Sequence, residues 1–123
     1  GLYDMDTLNA IHEKLHRLVA KVGGHIDAIF FCPHRAEENC ECRKPKPGML
    51  KEIAHRFAID LKKVPGIGDS LRDLEAFDAV GAQPILVKTG KGEETLAKGG
   101  LPKNTWICEN LAEATQRIIT EYA

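Results

Sequence analysis

Residues 64–73 read Val-Pro-Gly-Ile-Gly-Asp-Ser-Leu-Arg-Asp, a short apolar run that ends in Gly-Asp-Ser ahead of a helical pattern. The run predicts a strand over 64–67, and the pattern after it predicts a helix over 71–80. In open parallel α/β sheets, ligands bind at the carboxyl ends of the strands. Asp69 would stand at such an end, where a carboxylate suits Mg²⁺. A simpler interpretation is that Asp69 and Ser70 only cap the helix.

The same alternation of strand and helix patterns runs along the whole sequence. Further strands are predicted at 28–32, 84–88 and 105–108, and helices at 7–22, from Pro47 onward, near 93–98 and at 111–121. Strands that alternate with helices of this length indicate an α/β fold, here a Rossmann-like parallel sheet with helices on both faces. No repeat, low-complexity tract or linker interrupts the pattern, so we predict a single domain over residues 1–123.

The composition excludes several classes of partner. The formal net charge is -1, and basic residues alternate with acidic ones, so we expect no nucleic-acid partner. No apolar run approaches the roughly 20 residues that cross a bilayer, so we expect no membrane partner. The N-terminus lacks the basic start and apolar stretch of a signal peptide, which favours a cytoplasmic protein.

Four potential soft metal ligands lie within the eleven residues CPHRAEENCEC, namely Cys32, His34, Cys40 and Cys42. Structural zinc takes four sulfur or nitrogen donors in a tetrahedron, and two chelating pairs joined by a short loop supply them. The sequence therefore predicts a structural zinc site that fixes a polar loop with little apolar area to bury. The alternative is unrelated thiols and a surface histidine. The remote Cys108 is predicted to be a small buried side chain.

Arg43 and Lys44 follow the last of these cysteines directly. A loop stiffened by zinc would hold both cations ready for an anion, because a guanidinium suits a pair of phosphate oxygens and an ammonium serves as a point charge. The alternative is a solvated basic loop.

Three motifs together carry a resemblance: F-C-P-H…C-E-C-R-K-P-K-P-G-M-L, G-D-S-L-R-D-L and L-V-K-T-G-K-G. The chain resembles the haloacid dehalogenase (HAD) superfamily of phosphatases, and within it the heptose 1,7-bisphosphate 7-phosphatases. The resemblance implies a HAD-like fold and hydrolysis of the C7 phosphate of D-glycero-D-manno-heptose 1,7-bisphosphate through an aspartyl-phosphate. It places that reaction in the synthesis of ADP-heptose precursors of lipopolysaccharide.

The resemblance also implies roles for individual residues. Lys44 would neutralise the transferring phosphoryl group, Arg43 would contribute to substrate recognition, and Ser70 would lie beside the substrate. Asp69 would bind the catalytic Mg²⁺, and the four ligands of the predicted zinc site would hold a structural Zn²⁺. The implied partner is a small phosphorylated sugar, and we expect the complete enzyme to be a monomer.

The sequence departs from the superfamily pattern at its start. It contains no strand ending in D-x-D-G-T, which supplies the nucleophile, and no second motif with its Ser or Thr. Asp4-Met5-Asp6-Thr7 imitates the first motif in letters, but a helical pattern starts at once behind it, so Asp6 is interpreted as a helix cap. We expect the chain to be the C-terminal two-thirds of an enzyme, inactive without the rest.

The sequence is also compatible with two other functions. Histidinol-phosphate phosphatases share the zinc loop and the R-K-P stretch, although Pro47-Gly48-Met49 and Val87-Lys88-Thr89-Gly90 favour the heptose enzymes. The chain could also be a non-catalytic binding module stabilised by zinc.

Overall fold

The computed structural model describes residues 5–21, 23 and 46–122. The chain divides into two compact units, Gly1–Glu38 and Asn39–Ala123. Within the described ranges, no helix combines the length and apolar character needed to cross a membrane. The predicted strand at 28–32 and the predicted zinc loop lie outside these ranges.

Helix α1 spans Met5–Ala20 in the first unit. The sequence predicted this helix over 7–22, with Asp6 or Thr7 as the N-cap. The helix begins two residues earlier, so Asp6 lies within its first turn. The prediction of Asp6 or Thr7 as the N-cap is therefore wrong, although a carboxylate in the first turn complements the positive end of the helix dipole.

The second unit alternates helices and strands as the sequence predicted. Its elements are α2 (Gly48–Phe57), a 3-10 turn (Leu61–Lys63), β1 (Pro65–Gly68), α3 (Leu71–Ala79), β2 (Gln83–Val87), α4 (Gly92–Lys98), β3 (Trp106–Cys108) and α5 (Leu111–Tyr122). The strands, α3, α4 and α5 lie within one or two residues of their predicted bounds, and α2 starts one residue after Pro47; the 3-10 turn was not predicted. The α/β class is therefore confirmed in this part of the chain.

The three strands form one parallel sheet in the order β1-β2-β3. Ile67 pairs with Ile85, and Ile85 pairs with Trp106, so these side chains share one face of the sheet. Parallel strands place their carboxyl ends at the same edge. The starts of α3, α4 and α5 therefore follow that edge.

One face of the sheet packs against α5. Ile85, Val87 and Cys108 on the strands form a buried cluster with Ala114 of the helix. Cys108 is 1% exposed, which confirms its prediction as a small buried side chain. This cluster holds the ends of β2 and β3 in register beneath the loops that follow them.

The opposite face packs against α3, and glycine makes that contact close. Gly66 and Gly68 alternate with Ile67, so they face α3. A Cβ at Gly66 would lie 2.5 Å from Cγ of Phe77, and one at Gly68 would lie 2.8 Å from Cγ of Asp73. Helices on both faces of the described sheet agree with the prediction.

Candidate active site

Polar residues follow all three strands at the carboxyl edge of the sheet. Gly68 is followed by Asp69 and Ser70, β2 is followed by the loop 88–91, and β3 is followed by Glu109 and Asn110. This is the edge where open parallel sheets bind ligands. It is the candidate site that the sequence predicted from Asp69.

Asp69 is half-buried, and both its side chain and its backbone carbonyl accept hydrogen bonds from the segment that follows β2. Its carboxylate oxygen Oδ2 accepts a hydrogen bond from the backbone N–H of Lys91 at 3.0 Å. Its backbone carbonyl accepts a hydrogen bond from the hydroxyl of Thr95 at 2.8 Å. Thr95 is only 8% exposed, so this second bond is shielded from water. The side chain of Asp69 therefore has a fixed orientation.

The environment of Asp69 fits a hard divalent cation. Within residues 46–122, the carboxylate of Asp69 has the Lys91 amide as its hydrogen-bond partner and carries no ion pair. Oδ1 is thus available as an oxygen ligand. The described residues include no group of three His, Cys, Asp or Glu side chains that could enclose a metal ion. Mg²⁺ needs no such cage, because it is usually bound by one or two carboxylates together with water and phosphate oxygens.

Ser70 caps helix α3, as the simpler interpretation of the sequence proposed. Its side-chain oxygen accepts a hydrogen bond from the backbone N–H of Asp73 at 3.3 Å. The same interpretation is wrong for Asp69, whose side chain turns toward Lys91 instead. Asp73 is 8% exposed, and its side chain packs against Gly68 at the end of β1.

The loop after β2 is closed by glycine. Gly90 has φ of +59°, a conformation in which glycine avoids the steric cost of a side chain. A Cβ at Gly92 would overlap the carbonyl oxygen of Val87 and lie 2.6 Å from its carbonyl carbon. The motif L-V-K-T-G-K-G covers this loop, but the sequence did not reveal the contact of the loop with Asp69.

Lys88 and Glu109 join the loops after β2 and β3. The Lys88 ammonium lies 2.9 Å from Oε1 of Glu109. The hydrogen bond to Glu109, and then the charge of that carboxylate, raise the pKa of Lys88 above its usual value of 10.5. The Lys88 side chain is therefore paired with Glu109 in the neighbouring loop. Lys91 instead contacts Asp69 through its backbone N–H.

A cleft of about 260 Å³ lies between the starts of α3 and α4, and its lining includes Lys91 and Thr95, the two residues that hold Asp69. Its charged lining residues are Arg72, Lys91, Glu94 and Lys98. Glu94 is paired with Lys98 at 3.2 Å, which leaves Arg72 and Lys91 as an excess of positive charge in the lining of this cleft. Such a lining favours an anion.

The other predicted site residues lie outside the described residues. These are Arg43 and Lys44 of the basic pair and the four predicted zinc ligands, Cys32, His34, Cys40 and Cys42. Their roles stay predictions. Of the predicted site residues, the described part of the chain contains Asp69 and Ser70. It also shows two groups that the sequence did not predict, the Lys91 amide and the Thr95 hydroxyl, which orient Asp69.

Comparison with known proteins gives a consistent result. The sequence profile of the family described as HAD-hydrolase-like matches residues 41–114. The D-glycero-β-D-manno-heptose-1,7-bisphosphate 7-phosphatase of Bordetella bronchiseptica is 54% identical over 121 residues, which cover 98% of this chain and 68% of that protein.

Two solved structures resemble the fold closely. The crystal structure of D,D-heptose 1,7-bisphosphate phosphatase from B. bronchiseptica, complexed with magnesium and phosphate, has a TM-score of 0.94 at 54% identity. The same enzyme from Burkholderia thailandensis has a TM-score of 0.79 at 46% identity. Both alignments cover 98% of this chain and 68% of the solved chain. This chain therefore spans about two-thirds of the length of the proteins that it matches.

Proposed function

This chain belongs to the HAD-hydrolase-like family, and from that membership we propose that it acts in a phosphatase that removes the C7 phosphate of D-glycero-D-manno-heptose 1,7-bisphosphate. The observation that carries the proposal is the 54% identity, over nearly the whole chain, with a relative of that name. The carboxyl edge of the sheet supports it, because the oriented carboxylate of Asp69 suits a metal ion and the cationic cleft lined by Lys91 suits a phosphate ester.

Asp69 is the Mg²⁺ ligand in this proposal. When bound, Mg²⁺ supplies positive charge that offsets the charge developing on the phosphoryl oxygens. The chain itself contributes the orientation of the ligand, since the Lys91 amide holds Oδ2 and the Thr95 hydroxyl holds the backbone carbonyl. Preorganised groups of this kind lower the barrier because they need not reorient during the reaction.

The substrate is held by cations in this proposal. Lys44 neutralises the transferring phosphoryl group, Arg43 contributes to recognition of the sugar phosphate, and Ser70 lies beside the substrate. The nucleophile is an aspartate of a D-x-D-G-T motif, which this sequence does not contain, and it forms an aspartyl-phosphate that water then hydrolyses. Activity is therefore measured in the full-length natural protein.

A structural Zn²⁺ completes the proposal. Its ligands are Cys32, His34, Cys40 and Cys42, and its role is to fix the loop that ends at Arg43. Four protein ligands leave no open position for water, which is typical of structural zinc sites.

The replacement Asp69→Asn tests the metal ligand. It removes the charge but keeps the shape of the side chain, and we expect kcat to fall about 10²–10³-fold because transition-state charge loses its stabilisation. The control is Asp78→Asn, which alters an exposed carboxylate of α3 at the other end of the sheet, in the cleft that also contains Gln83. Equal turnover in the two variants would contradict the role of Asp69.

The choice of ester tests the activity. Phosphate release is measured from heptose 1,7-bisphosphate and from histidinol phosphate under the same conditions. We expect the heptose ester to be hydrolysed with the higher kcat/KM. A preference for histidinol phosphate would favour the rival phosphatase, and release from neither ester in the presence of Mg²⁺ would favour the non-catalytic module.

A further inference from the structure

We propose that the loop after β2 is a positioning element that holds Asp69 as a one-oxygen ligand, and that Gly90 is the residue on which this depends. The inference rests on the proposed function, in which Asp69 binds Mg²⁺. It assigns a metal-positioning role to a loop that follows a different strand from the one that carries the ligand.

Asp69 touches this loop at atomic contact distance. A Cβ at Gly90 would overlap Oδ2 of Asp69 and lie 3.4 Å from its Cγ. Every residue other than glycine would therefore displace the carboxylate or move the loop. The same absence of a side chain lets the next backbone N–H, that of Lys91, reach Oδ2 at 3.0 Å.

The loop is itself held in place at both of its ends. The backbone N–H of Lys88 donates to the carbonyl of Cys108 at 2.9 Å, which ties the start of the loop to β3. At the other end, the backbone N–H of Glu93 donates to the carbonyl of Lys88 at 3.2 Å, which closes the loop onto the first turn of α4. The loop can therefore transmit a fixed position to the carboxylate.

One occupied oxygen has a consequence for the choice of metal. Because Oδ2 is engaged by an amide, Asp69 offers Oδ1 as a single-oxygen ligand. Mg²⁺ takes such ligands in an octahedron, whereas Ca²⁺ accepts more oxygens and often binds both oxygens of one carboxylate. A carboxylate released from the loop could bind in either way, so the loop favours Mg²⁺ over Ca²⁺.

The test measures metal binding directly in the full-length protein. Titration calorimetry gives the Kd for Mg²⁺ and for Ca²⁺ without substrate. Loss of an outer-shell partner typically lowers metal affinity 10–100-fold, so we expect Gly90→Ala to raise the Kd for Mg²⁺ by about that factor. We also expect Gly90→Ala to lower the ratio of the Kd for Ca²⁺ to the Kd for Mg²⁺.

Gly100→Ala is the matched control. Gly100 also has a positive φ, of +75°, but a Cβ there would have no atom within 4 Å. This variant carries the backbone strain without the contact with Asp69, and we expect its Kd for Mg²⁺ to stay within about twofold of the wild-type value. An equal loss of affinity in both glycine variants would overturn the proposal.

Thr95 provides a second test that does not depend on whether Gly90→Ala folds. We expect Thr95→Val to weaken Mg²⁺ binding because the Asp69 carbonyl loses its partner, and Thr95→Ser to retain binding because the hydroxyl remains. Wild-type affinity in folded Gly90→Ala, or in folded Thr95→Val, would overturn the proposal.

The same titrations separate this inference from the proposed function. If Asp69→Asn abolishes Mg²⁺ binding while Gly90→Ala leaves it unchanged, the positioning role is wrong and the metal ligand stands. If the loop variants weaken Mg²⁺ binding but the wild-type protein does not hydrolyse the heptose bisphosphate, the positioning role stands and the proposed substrate is wrong.

Discussion

Cys108 is a free thiol at the end of β3, between the sheet and α5. Burial raises the pKa of this thiol above its usual value, and the charge of Glu113 raises it further, while Arg117 acts in the opposite direction. Because the thiolate is the reactive form of cysteine, a buried thiol with a raised pKa is inert. Its contribution is to packing.

Alkylation tests this directly. We expect iodoacetamide at pH 8 to leave Cys108 unmodified in the folded protein and to modify it fully in denaturant. Mass spectrometry of the peptide that contains Cys108 separates its signal from those of the other cysteines. Rapid modification in the folded protein, at the rate seen in denaturant, would show that the thiol is accessible.

Gly66 lies opposite a single aromatic ring. A Cβ there would approach several ring atoms of Phe77, so the whole ring would have to move. Overpacking of this kind typically costs about 1–3 kcal/mol, and we expect Gly66→Ala to lower the free energy of unfolding by that amount in urea denaturation.

The control is a double-mutant cycle. In a Phe77→Ala background the ring is absent, so Gly66→Ala should lower the free energy of unfolding much less than in the wild-type protein. The coupling energy between the two substitutions should be about 0.5–3 kcal/mol. Additive effects of the two substitutions would mean that the strain has another source.

At the scale of the elements, the two loops at the carboxyl edge are joined by opposite charges. Lys88 follows β2, Glu109 follows β3, and their ion pair is partly exposed. The pKa of Lys88 in the folded protein is raised above its usual 10.5 by Glu109. The pair therefore stabilises the fold fully below pH 10.5, and this contribution is lost as the pH rises through the raised pKa.

Thermal denaturation as a function of pH tests the pair. Below pH 10 we expect Lys88→Met to have a lower Tm than the wild-type protein, and the difference to shrink toward zero above pH 10.5. Lys63→Met, at an exposed lysine of the 3-10 turn, is the control and should show no such convergence. A Tm difference that is constant with pH would exclude the charge of Lys88 as its cause.

The elements themselves were predictable because their patterns are local. The apolar run at 64–67 indicated a buried strand, and β1 is found at Pro65–Gly68. The one-residue shift arises because pairing sets the bounds: Pro65 pairs with Gln83 and Gly68 with Leu86. Local pattern reveals that a strand exists, and hydrogen bonding to its neighbour decides where it ends.

The orientation of Asp69 was not predictable in the same way. Its position after a buried strand indicated a ligand, but the amide that orients it lies 22 residues away, in a different loop. No local pattern encodes a contact that depends on where two loops meet. The sequence offered only the glycine at position 90, a residue type that permits a close approach of the backbone but does not reveal which group approaches it.

For the whole molecule, the proposal assigns two metal ions to two kinds of ligand. Thiolates and imidazole suit Zn²⁺, whereas a carboxylate oxygen suits Mg²⁺, so the sites would not compete for the same ion. Structural zinc contributes to folding, whereas Mg²⁺ is held partly by water and phosphate and exchanges readily. Removal of each metal should therefore have a different effect.

Metal removal distinguishes the two sites in the full-length protein. We expect transfer into Mg²⁺-free buffer to stop hydrolysis and added Mg²⁺ to restore it fully. A zinc-selective chelator should instead lower the Tm and cause a loss of turnover that Mg²⁺ does not restore. Elemental analysis of the purified protein should find about one zinc ion per chain, as four protein ligands imply.

Two variants distinguish the role of the predicted zinc loop from the role of Lys44, which follows it in the sequence. Cys40→Ser should lose zinc and turnover together, because one of four ligands is removed and the loop no longer holds its shape. Lys44→Ala should keep its zinc while kcat falls about 10²–10³-fold, because only the charge at the phosphoryl group is lost. A purified protein without zinc would contradict the proposed zinc loop. Normal turnover of Lys44→Ala would contradict the role of Lys44 at the phosphoryl group.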